Sequence, residues 1–197
     1  MDRSTIIRPA RGGAFAAPYR RWKNHPVAGV DFPDTGSITS DRATMRRVVD
    51  ALAEGLPATV DAVAGIDMGG LGFAGALAQR NAIGFLDVRK VGSLRADIIR
   101  TVMANYELGD GIAISKASRL AGHRVAILDD CLISGGTALN AVKLIRRLGA
   151  ECATALFVFE LEGMGGRERL DREGVAVHAL GLLPRAEAAS APGGAPG

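Results

Sequence analysis

One continuous stretch, residues 124–149 (RVAILDDCLISGGTALNAVKLIRRLG), constrains the fold of this 197-residue chain more than any other. Its first part, RVAILDD (124–130), is predicted to be a buried strand that carries two acids at its carboxyl end. Its last part, TALNAVKLIRRLG (137–149), has apolar residues spaced three and four apart, as one face of a helix requires. With CLISGG (131–136) as the loop between them, the stretch predicts a strand, a Gly-rich turn and an amphipathic helix.

The rest of the chain shows the same alternation. Helices are predicted over 40–56 and 70–80, and strands over 60–67, 83–89, 112–115, 153–160 and 175–180, with a less regular segment at 90–111. Ser40 or Asp41 is expected to cap the first helix, and Trp22 to anchor it by packing. Strands that alternate with helices predict an α/β fold with a mostly parallel central sheet flanked by helices. In such sheets ligands bind at the carboxyl ends of the strands.

Composition limits the class of protein. With 48% hydrophobic residues, the chain can bury the core of one domain. Its two cysteines, Cys131 and Cys152, are too few to hold a domain of this size together with disulfides, so we expect reduced thiols in a cytoplasmic protein. No window of about 18 consecutive apolar residues lacks a charge, so we expect no membrane partner.

The net charge of +3, from 24 basic and 21 acidic residues, is concentrated near the N-terminus. Residues 1–24 hold six basic side chains and one acidic, so the other 173 residues hold 18 and 20, a net of −2. We therefore expect a basic flexible arm at 1–18, one domain at 19–185 and a flexible Ala/Gly/Pro tail at 186–197. Because the domain has no excess of basic residues, a nucleic-acid partner is not expected.

The turn after the strand at 124–130 has the chemistry of an anion site. Backbone N–H groups of a Gly-rich turn and of a helix start can bind a phosphate, and the hydroxyls of Ser134 and Thr137 add donors. Asp129 and Asp130 suit the vicinal hydroxyls of a ribose, which donate to carboxylates. The turn lacks the lysine of a Walker A loop, and its acids precede the glycines, unlike a dinucleotide fingerprint. An ordinary capped strand–helix turn is the alternative, but it leaves the paired acids unexplained.

Residues 128–141, LDDCLISGGTALNA, resemble the phosphoribosyl-diphosphate (PRPP) motif of the type I phosphoribosyltransferases, in which a T/S-G-G-T loop follows two acids. The flanking segments similar to the adenine phosphoribosyltransferase branch of that family are VAGIDMGGLGFAGALA (63–78), FLDVRKVGSL (85–94), YELG (106–109), AGHRVAILDD (121–130) and LEGMGGRERL (161–170). The resemblance covers roughly residues 19–180. It implies the type I phosphoribosyltransferase fold, with a small N-terminal hood and a mobile loop.

The resemblance also implies a reaction, in which a ring nitrogen of a purine-like base displaces pyrophosphate from C1′ of PRPP. The implied catalytic residues are Glu107, as a proton acceptor or orienting group near the base, and the acids Asp129 and Asp130, which would hold the ribose hydroxyls. The 5′-phosphate would be bound by Ile133, Ser134, Gly135, Gly136 and Thr137, pyrophosphate by Met68, Gly69, Gly70, Arg89 and Lys90, and the base by Asp31, Phe32 and Pro33. A homodimer is implied, and so is Mg²⁺ bound mainly through the sugar diphosphate, with no direct protein ligand.

The chain departs from the family pattern at three places. Gly69 replaces an arginine that would contact pyrophosphate, and Ser93 stands where the mobile loop has a lysine. Two arginines near enough in sequence to compensate are Arg95 and Arg100. Pro33 has no N–H to donate to an adenine ring nitrogen. Asp31 either adds an acceptor that suits a base with more donors than adenine, or is a solvated loop acid.

Three hypotheses stay open. The first is a PRPP-dependent transferase that acts on a purine-like base. The second is a biosynthetic variant that uses a base other than adenine or an altered sugar diphosphate, as the departures suggest. The third is a non-catalytic regulator that senses PRPP or a nucleotide. The basic arm favours the regulator, whereas Glu107, Arg89 and Lys90 argue against it.

Overall fold

The computed structural model describes residues 19–25, 30–90, 98–101 and 111–184. Within them the strands are β1 (Arg20–Trp22), β2 (Phe32–Asp34), β3 (Ala62–Ile66), β4 (Gly84–Lys90), β5 (Ile98–Thr101), β6 (Ile112–Ser115), β7 (Arg124–Leu132), β8 (Glu151–Leu161) and β9 (Ala176–Leu183). The helices are α1 (Gly36–Thr39), α2 (Arg42–Glu54), α3 (Gly69–Asn81), α4 (Gly136–Arg147) and α5 (Gly166–Asp171). The predicted arm and tail lie outside these residues, as do Ser93, Arg95 and Glu107.

A seven-stranded sheet runs through the protein in the order β5-β6-β4-β3-β7-β8-β9. From β4 to β9 every neighbouring pair is parallel, whereas β6 is antiparallel to both β4 and β5 at one edge. The prediction of a mostly parallel sheet flanked by helices is therefore confirmed. β1 and β2 form a separate antiparallel pair, which we call the hood.

The sheet is buried on both faces, since successive strand residues point to opposite sides. Ile127 belongs to an apolar cluster with Val142 and Ile145 of α4. Its neighbour Leu128 belongs to a second cluster, which contains apolar residues of α2 and α3, among them Leu52 and Phe73. The helices that follow β3 and β7 thus lie on opposite faces of the sheet. None of the described helices is long and apolar enough to cross a membrane.

The ends of several elements differ from the predictions for local reasons. β7 continues to Leu132 because Cys131 and Leu132 pair with β8, so the predicted loop at 131–136 begins only at Ile133. α2 begins at Arg42, and of the two predicted caps it is Asp41 whose side chain accepts from the N–H of Thr44, at 2.7 Å.

The sequence missed the shortest elements. β5 lies inside the segment predicted to be irregular, and β1 and β2 have only three residues each, too few for a periodic pattern. The expectation that Trp22 anchors the first helix was wrong. Its side chain is 54% exposed, and it lies in the hood beside the cavity described next.

Candidate active site

A cavity of about 850 Å³ opens at the carboxyl ends of β3 and β7. These two strands are neighbours in the sheet, and the chain leaves them toward helices on opposite faces. A crevice forms where such helices diverge, and ligands of open α/β sheets bind there. The cavity therefore lies where the strand–helix alternation predicted a ligand site.

The two acids predicted to hold a ribose both line this cavity. They occupy the carboxyl half of β7, where the backbone N–H of Asp130 donates to Oδ1 of Asp129 at 2.9 Å. Removal from water raises the pKa of Asp130 above its usual range, and the bonds to Asp129 and to the backbone of Cys131 only partly oppose this.

The predicted phosphate-binding residues 133–137 form a tight turn along the same cavity. Gly135 has φ 72°, and a β-carbon on it would lie 2.9 Å from the carbonyl oxygen of Gly166, so a glycine is required there. α4 begins at the next residue. Since its cap is a glycine, no side chain at that position occupies the first amides of the helix, which suits them to an anion.

The second Gly-rich segment, predicted to bind pyrophosphate, follows β3. The peptide bond between Asp67 and Met68 is cis, and both residues line the cavity together with Gly69. Gly70 does not line it. A β-carbon on Gly70 would lie 2.8 Å from the α-carbon of Asp129 and closer to the carbonyl oxygen of Leu128, so Gly70 lets α3 pack against the backbone of β7.

The basic pair at the end of β4 is split between two faces of the strand. Lys90 lines the cavity, whereas the Arg89 side chain does not. Nε of Arg89 donates instead to Oδ2 of Asp87 at 2.8 Å, and this bond raises the pKa of Arg89. Because β4 extends through Lys90, alternation along the strand turns only Lys90 toward the cavity.

The hood contributes a mostly aromatic wall. Phe32 and Pro33, both predicted to bind the base, line the cavity with Trp22 and His25. The His25 ring meets the edges of both aromatic neighbours, at centroid distances of 5.5 Å to Trp22 and 5.8 Å to Phe32. Asp31 is not in the lining, and its Oδ1 accepts from the N–H of Asn24 at 3.3 Å.

Sequence reasoning missed several lining residues. Trp22 and His25 come from a segment with no periodic pattern, and Asp34 holds the hood together by accepting from Nε1 of Trp22 at 3.2 Å. Asp67 had a usable signal, since it directly follows a buried strand whose carboxyl end adjoins that of β7. Glu107, the predicted proton acceptor, lies outside the described residues.

The described lining is strongly acidic. Its charged side chains are those of Asp34, Asp67, Lys90, Asp129 and Asp130. The described residues contain no group of three His, Cys, Asp or Glu that could hold a metal ion. The cavity joins an anion-binding turn, carboxylates for hydroxyl groups and an aromatic wall for a flat ring, the parts that a nucleotide needs.

Comparison with known proteins agrees with this chemistry. Residues 38–176, more than half of the chain, match the family model of the phosphoribosyl transferase domain. The chain belongs to the phosphoribosyltransferase family, as its sequence motif predicts.

Several similar proteins carry the name adenine phosphoribosyltransferase. An adenine phosphoribosyltransferase of Rhizobium leguminosarum bv. trifolii is 35% identical over 182 residues, which cover 91% of this chain and 97% of that relative. The enzyme of the same name from Methylorubrum extorquens is 37% identical over 86% of this chain and 94% of its own length. The crystal structure of adenine phosphoribosyltransferase from Thermoanaerobacter pseudethanolicus superposes with a TM-score of 0.77, at 32% identity, over 84% of this chain and 95% of that one.

Proposed function

We propose that this protein joins a purine base to C1′ of PRPP and releases pyrophosphate. The observation that carries the proposal is the meeting, in one cavity, of the acids Asp129 and Asp130, the turn 133–137 and the turn at Met68 and Gly69. The resemblance to adenine phosphoribosyltransferases supports the same reaction.

Each part of the cavity has a task in this reaction. The ribose hydroxyls donate to Asp129 and Asp130, and the 5′-phosphate accepts from the amides and hydroxyls of the turn 133–137. Lys90, which lines the cavity, is proposed to offset the negative charge that develops on the departing pyrophosphate. Glu107 is proposed to take a proton from the base or to orient it. The aromatic wall of the hood keeps water away from a cationic, oxocarbenium-like sugar.

Mg²⁺ is proposed to arrive with the diphosphate of PRPP. The described residues contain no group of three His, Cys, Asp or Glu that could hold the ion by themselves, so diphosphate oxygens and waters are proposed to supply most of its ligands. When bound, the ion neutralises diphosphate charge that the acidic lining cannot. The residues of this chain then have to hold the ribose and the 5′-phosphate.

The identity of the base has two candidates. The names of the relatives favour adenine, and Phe32 offers a flat base a stacking surface. Pro33 favours a different purine, since it is buried in the cavity wall and cannot donate a backbone hydrogen bond to an acceptor nitrogen of adenine. A ring nitrogen that carries a proton would need no such donor.

One assay tests the reaction and distinguishes adenine from the other purine bases. The protein is incubated with PRPP, Mg²⁺ and adenine, hypoxanthine or guanine in turn, and nucleotide is detected by mass spectrometry together with released pyrophosphate. Turnover with any base that is lost in an Asp129→Asn, Asp130→Asn double variant supports the proposal. A folded sample that binds PRPP but turns over no base favours the non-catalytic regulator. A sample that turns over a base only with another sugar diphosphate favours the variant with an altered donor.

Pro33→Ala tests the base directly, because it restores the backbone N–H at that position. If Pro33 selects against adenine, the ratio of kcat/KM for adenine to that for the best other base rises in the variant. An unchanged ratio removes Pro33 from base selection.

A homodimer and a cytoplasmic location are also proposed, from the family resemblance. Phe85 is 48% exposed on β4 and offers an apolar contact for a second copy. Light scattering behind size-exclusion chromatography measures the mass in solution, and a mass of one chain at micromolar concentration contradicts the dimer.

A further inference from the structure

We propose that Arg169, on α5, binds the 5′-phosphate of the sugar donor beside the turn 133–137. This inference rests on the proposed function, since it adds a residue to the same phosphate site. Neither the PRPP motif nor the strand–helix pattern includes α5, so the residue comes from the geometry alone.

α5 forms the outer support of the phosphate turn. A β-carbon on Gly135 would lie 2.9 Å from the carbonyl oxygen of Gly166, the first residue of α5. A β-carbon on Gly166 would in turn meet the carbonyl oxygen of Ile133 and the side chain of Leu132. Glycines on both sides therefore bring the backbone of α5 into direct contact with the turn.

An ion pair fixes the position of this helix. Nε of Arg167 donates to Oε1 of Glu160 at 3.0 Å, and its Nη2 makes a second, shorter bond to the same carboxylate. Nη1 of Arg167 donates to the carbonyl oxygen of Val177 at 2.8 Å. Glu160 is buried near the end of β8, where it pairs with Leu132 just before the turn, so the ion pair holds α5 to the sheet.

The next arginine of α5 extends toward the turn. Nη1 of Arg169 lies 3.6 Å from the point that a β-carbon of Gly136 would occupy, and Oγ of Ser134 lies 3.7 Å from the same point. Unlike Arg167, Arg169 has no carboxylate within 4.0 Å among the residues that the structure describes. A guanidinium thus lies beside the first residue of α4, next to the cavity lining although not in it, and none of the described carboxylates is within 4.0 Å of it.

A phosphate supplies the missing partner. Guanidinium groups match phosphate oxygens in geometry, and hydrogen bonds between charged groups are about twice as strong as neutral ones. The 5′-phosphate carries up to two negative charges into a cavity whose described lining has four aspartates and one lysine. Arg169 adds positive charge at the phosphate end of the ligand, while Lys90 lies on β4, across β3 from the strand that leads into the phosphate turn.

The test uses two fragments of PRPP, each of which reports on one end of the cavity. Ribose 5-phosphate carries the 5′-phosphate, and inorganic pyrophosphate, with Mg²⁺, carries only the other group. Affinities of the full-length protein for each are measured by calorimetry for the wild type, Arg169→Gln, Arg169→Lys and Arg172→Gln. Arg172 is the matched control, because it is exposed, lies at the end of α5 and loses the same charge.

We expect Arg169→Gln to lower the affinity for ribose 5-phosphate about tenfold, as loss of one charge-assisted hydrogen bond predicts. The affinity for pyrophosphate should stay unchanged. Arg169→Lys should recover part of the loss, and Arg172→Gln should match the wild type. The difference should shrink at high salt, since Arg169 is exposed.

Two results overturn the assignment of Arg169. One is equal ribose 5-phosphate affinity in Arg169→Gln and the wild type, and the other is an equal loss for both fragments, which indicates a scaffold role. A wild type that binds PRPP and neither fragment also counts against a separable phosphate contact. Failure of the folded wild type to bind PRPP at all contradicts the proposed function itself.

Discussion

The carboxylate of Asp130 occupies the space above the α-carbon of Gly69. A β-carbon on Gly69 would lie 2.8 Å from Oδ1 of Asp130 and closer still to its Cγ and Oδ2. Gly69 begins α3, so the negative charge of Asp130 lies at the positive end of that helix. Any residue with a β-carbon at position 69 therefore excludes the observed conformation of the Asp130 carboxylate.

Gly69→Ala should weaken the binding of the sugar donor without unfolding the protein. The added methyl group displaces the Asp130 carboxylate, which can rotate, so the contact to the ribose is lost and the KM for PRPP rises about tenfold. Gly75→Ala is the control, because a β-carbon there has no atom within 4 Å and Gly75 does not line the cavity. Steady-state kinetics with PRPP varied measures the effect. Equal KM values for Gly69→Ala and Gly75→Ala would show that the observed conformation of the Asp130 carboxylate is not needed to bind PRPP.

Substitution of the neighbouring Gly70, in contrast, should lower the stability of the fold. A β-carbon on Gly70 meets the backbone of Leu128 and Asp129, which cannot rotate away, so Gly70→Ala forces α3 off β7. Overpacking of this kind costs about 1–3 kcal/mol, and the free energy of unfolding in urea should fall by that amount. Gly75→Ala, in the same helix, should instead gain up to about 1 kcal/mol from helix propensity. A Gly70→Ala variant as stable as the wild type would contradict the close packing.

The parts of the molecule that could be predicted are those with a period or a motif. The buried strands and α4 have runs long enough for one face to be recognised, and the acids and turn at 129–137 lie together because they are adjacent in sequence. Contacts between distant segments could not be predicted. The seating of Asp130 over Gly69, the position of Arg169 near Gly136 and the membership of Asp34 in the cavity depend on packing that no local pattern encodes.

The pair Arg89 and Lys90 shows how one residue of strand length changes a site. The prediction ended the strand at residue 89 and assigned both cations to pyrophosphate, whereas β4 continues through Lys90. Only Lys90 then faces the cavity. The residue types were informative, and the alternation along the strand decided which one can reach the ligand.

Substitution of each cation separately should expose this difference. Lys90→Gln removes a charge from the cavity lining, and we expect the affinity for pyrophosphate with Mg²⁺ to fall about tenfold. Arg89→Gln breaks a partly exposed pair with Asp87 outside the cavity lining, so its effect on that affinity should be much smaller. Calorimetry on both variants makes the comparison. A larger loss in Arg89→Gln would mean that its side chain leaves Asp87 when the ligand binds.

The charged form of Asp130 should strengthen ligand binding but lower the free energy of unfolding. Burial raises its pKa in the folded protein above the 3.8 of an ordinary aspartate, so the folded state holds this proton more tightly than the unfolded chain. Stability is then lost as the pH rises from 3.8 through the folded pKa. Asp130→Asn should therefore become more stable than the wild type over that pH interval and keep its advantage at neutral pH, while it loses affinity for PRPP. Urea unfolding at several pH values measures the difference in stability between Asp130→Asn and the wild type. A difference that does not grow with pH contradicts a raised pKa of Asp130.

The ion pair of Glu160 and Arg167 should show an asymmetry that follows from burial. The Glu160 side chain is 10% exposed and that of Arg167 is 33% exposed, so Arg167→Met leaves a buried carboxylate without its cation, a loss of about 3 kcal/mol. Glu160→Gln leaves a guanidinium that reaches solvent and still donates to Val177, so it should cost less. The double variant should recover part of the Arg167→Met loss, because no lone charge stays buried. Urea unfolding of all four proteins gives the coupling free energy. Since this pair holds α5 against the phosphate turn, Arg167→Met should also weaken the binding of ribose 5-phosphate. Unchanged binding in a folded variant would show that the turn keeps its conformation without support from α5.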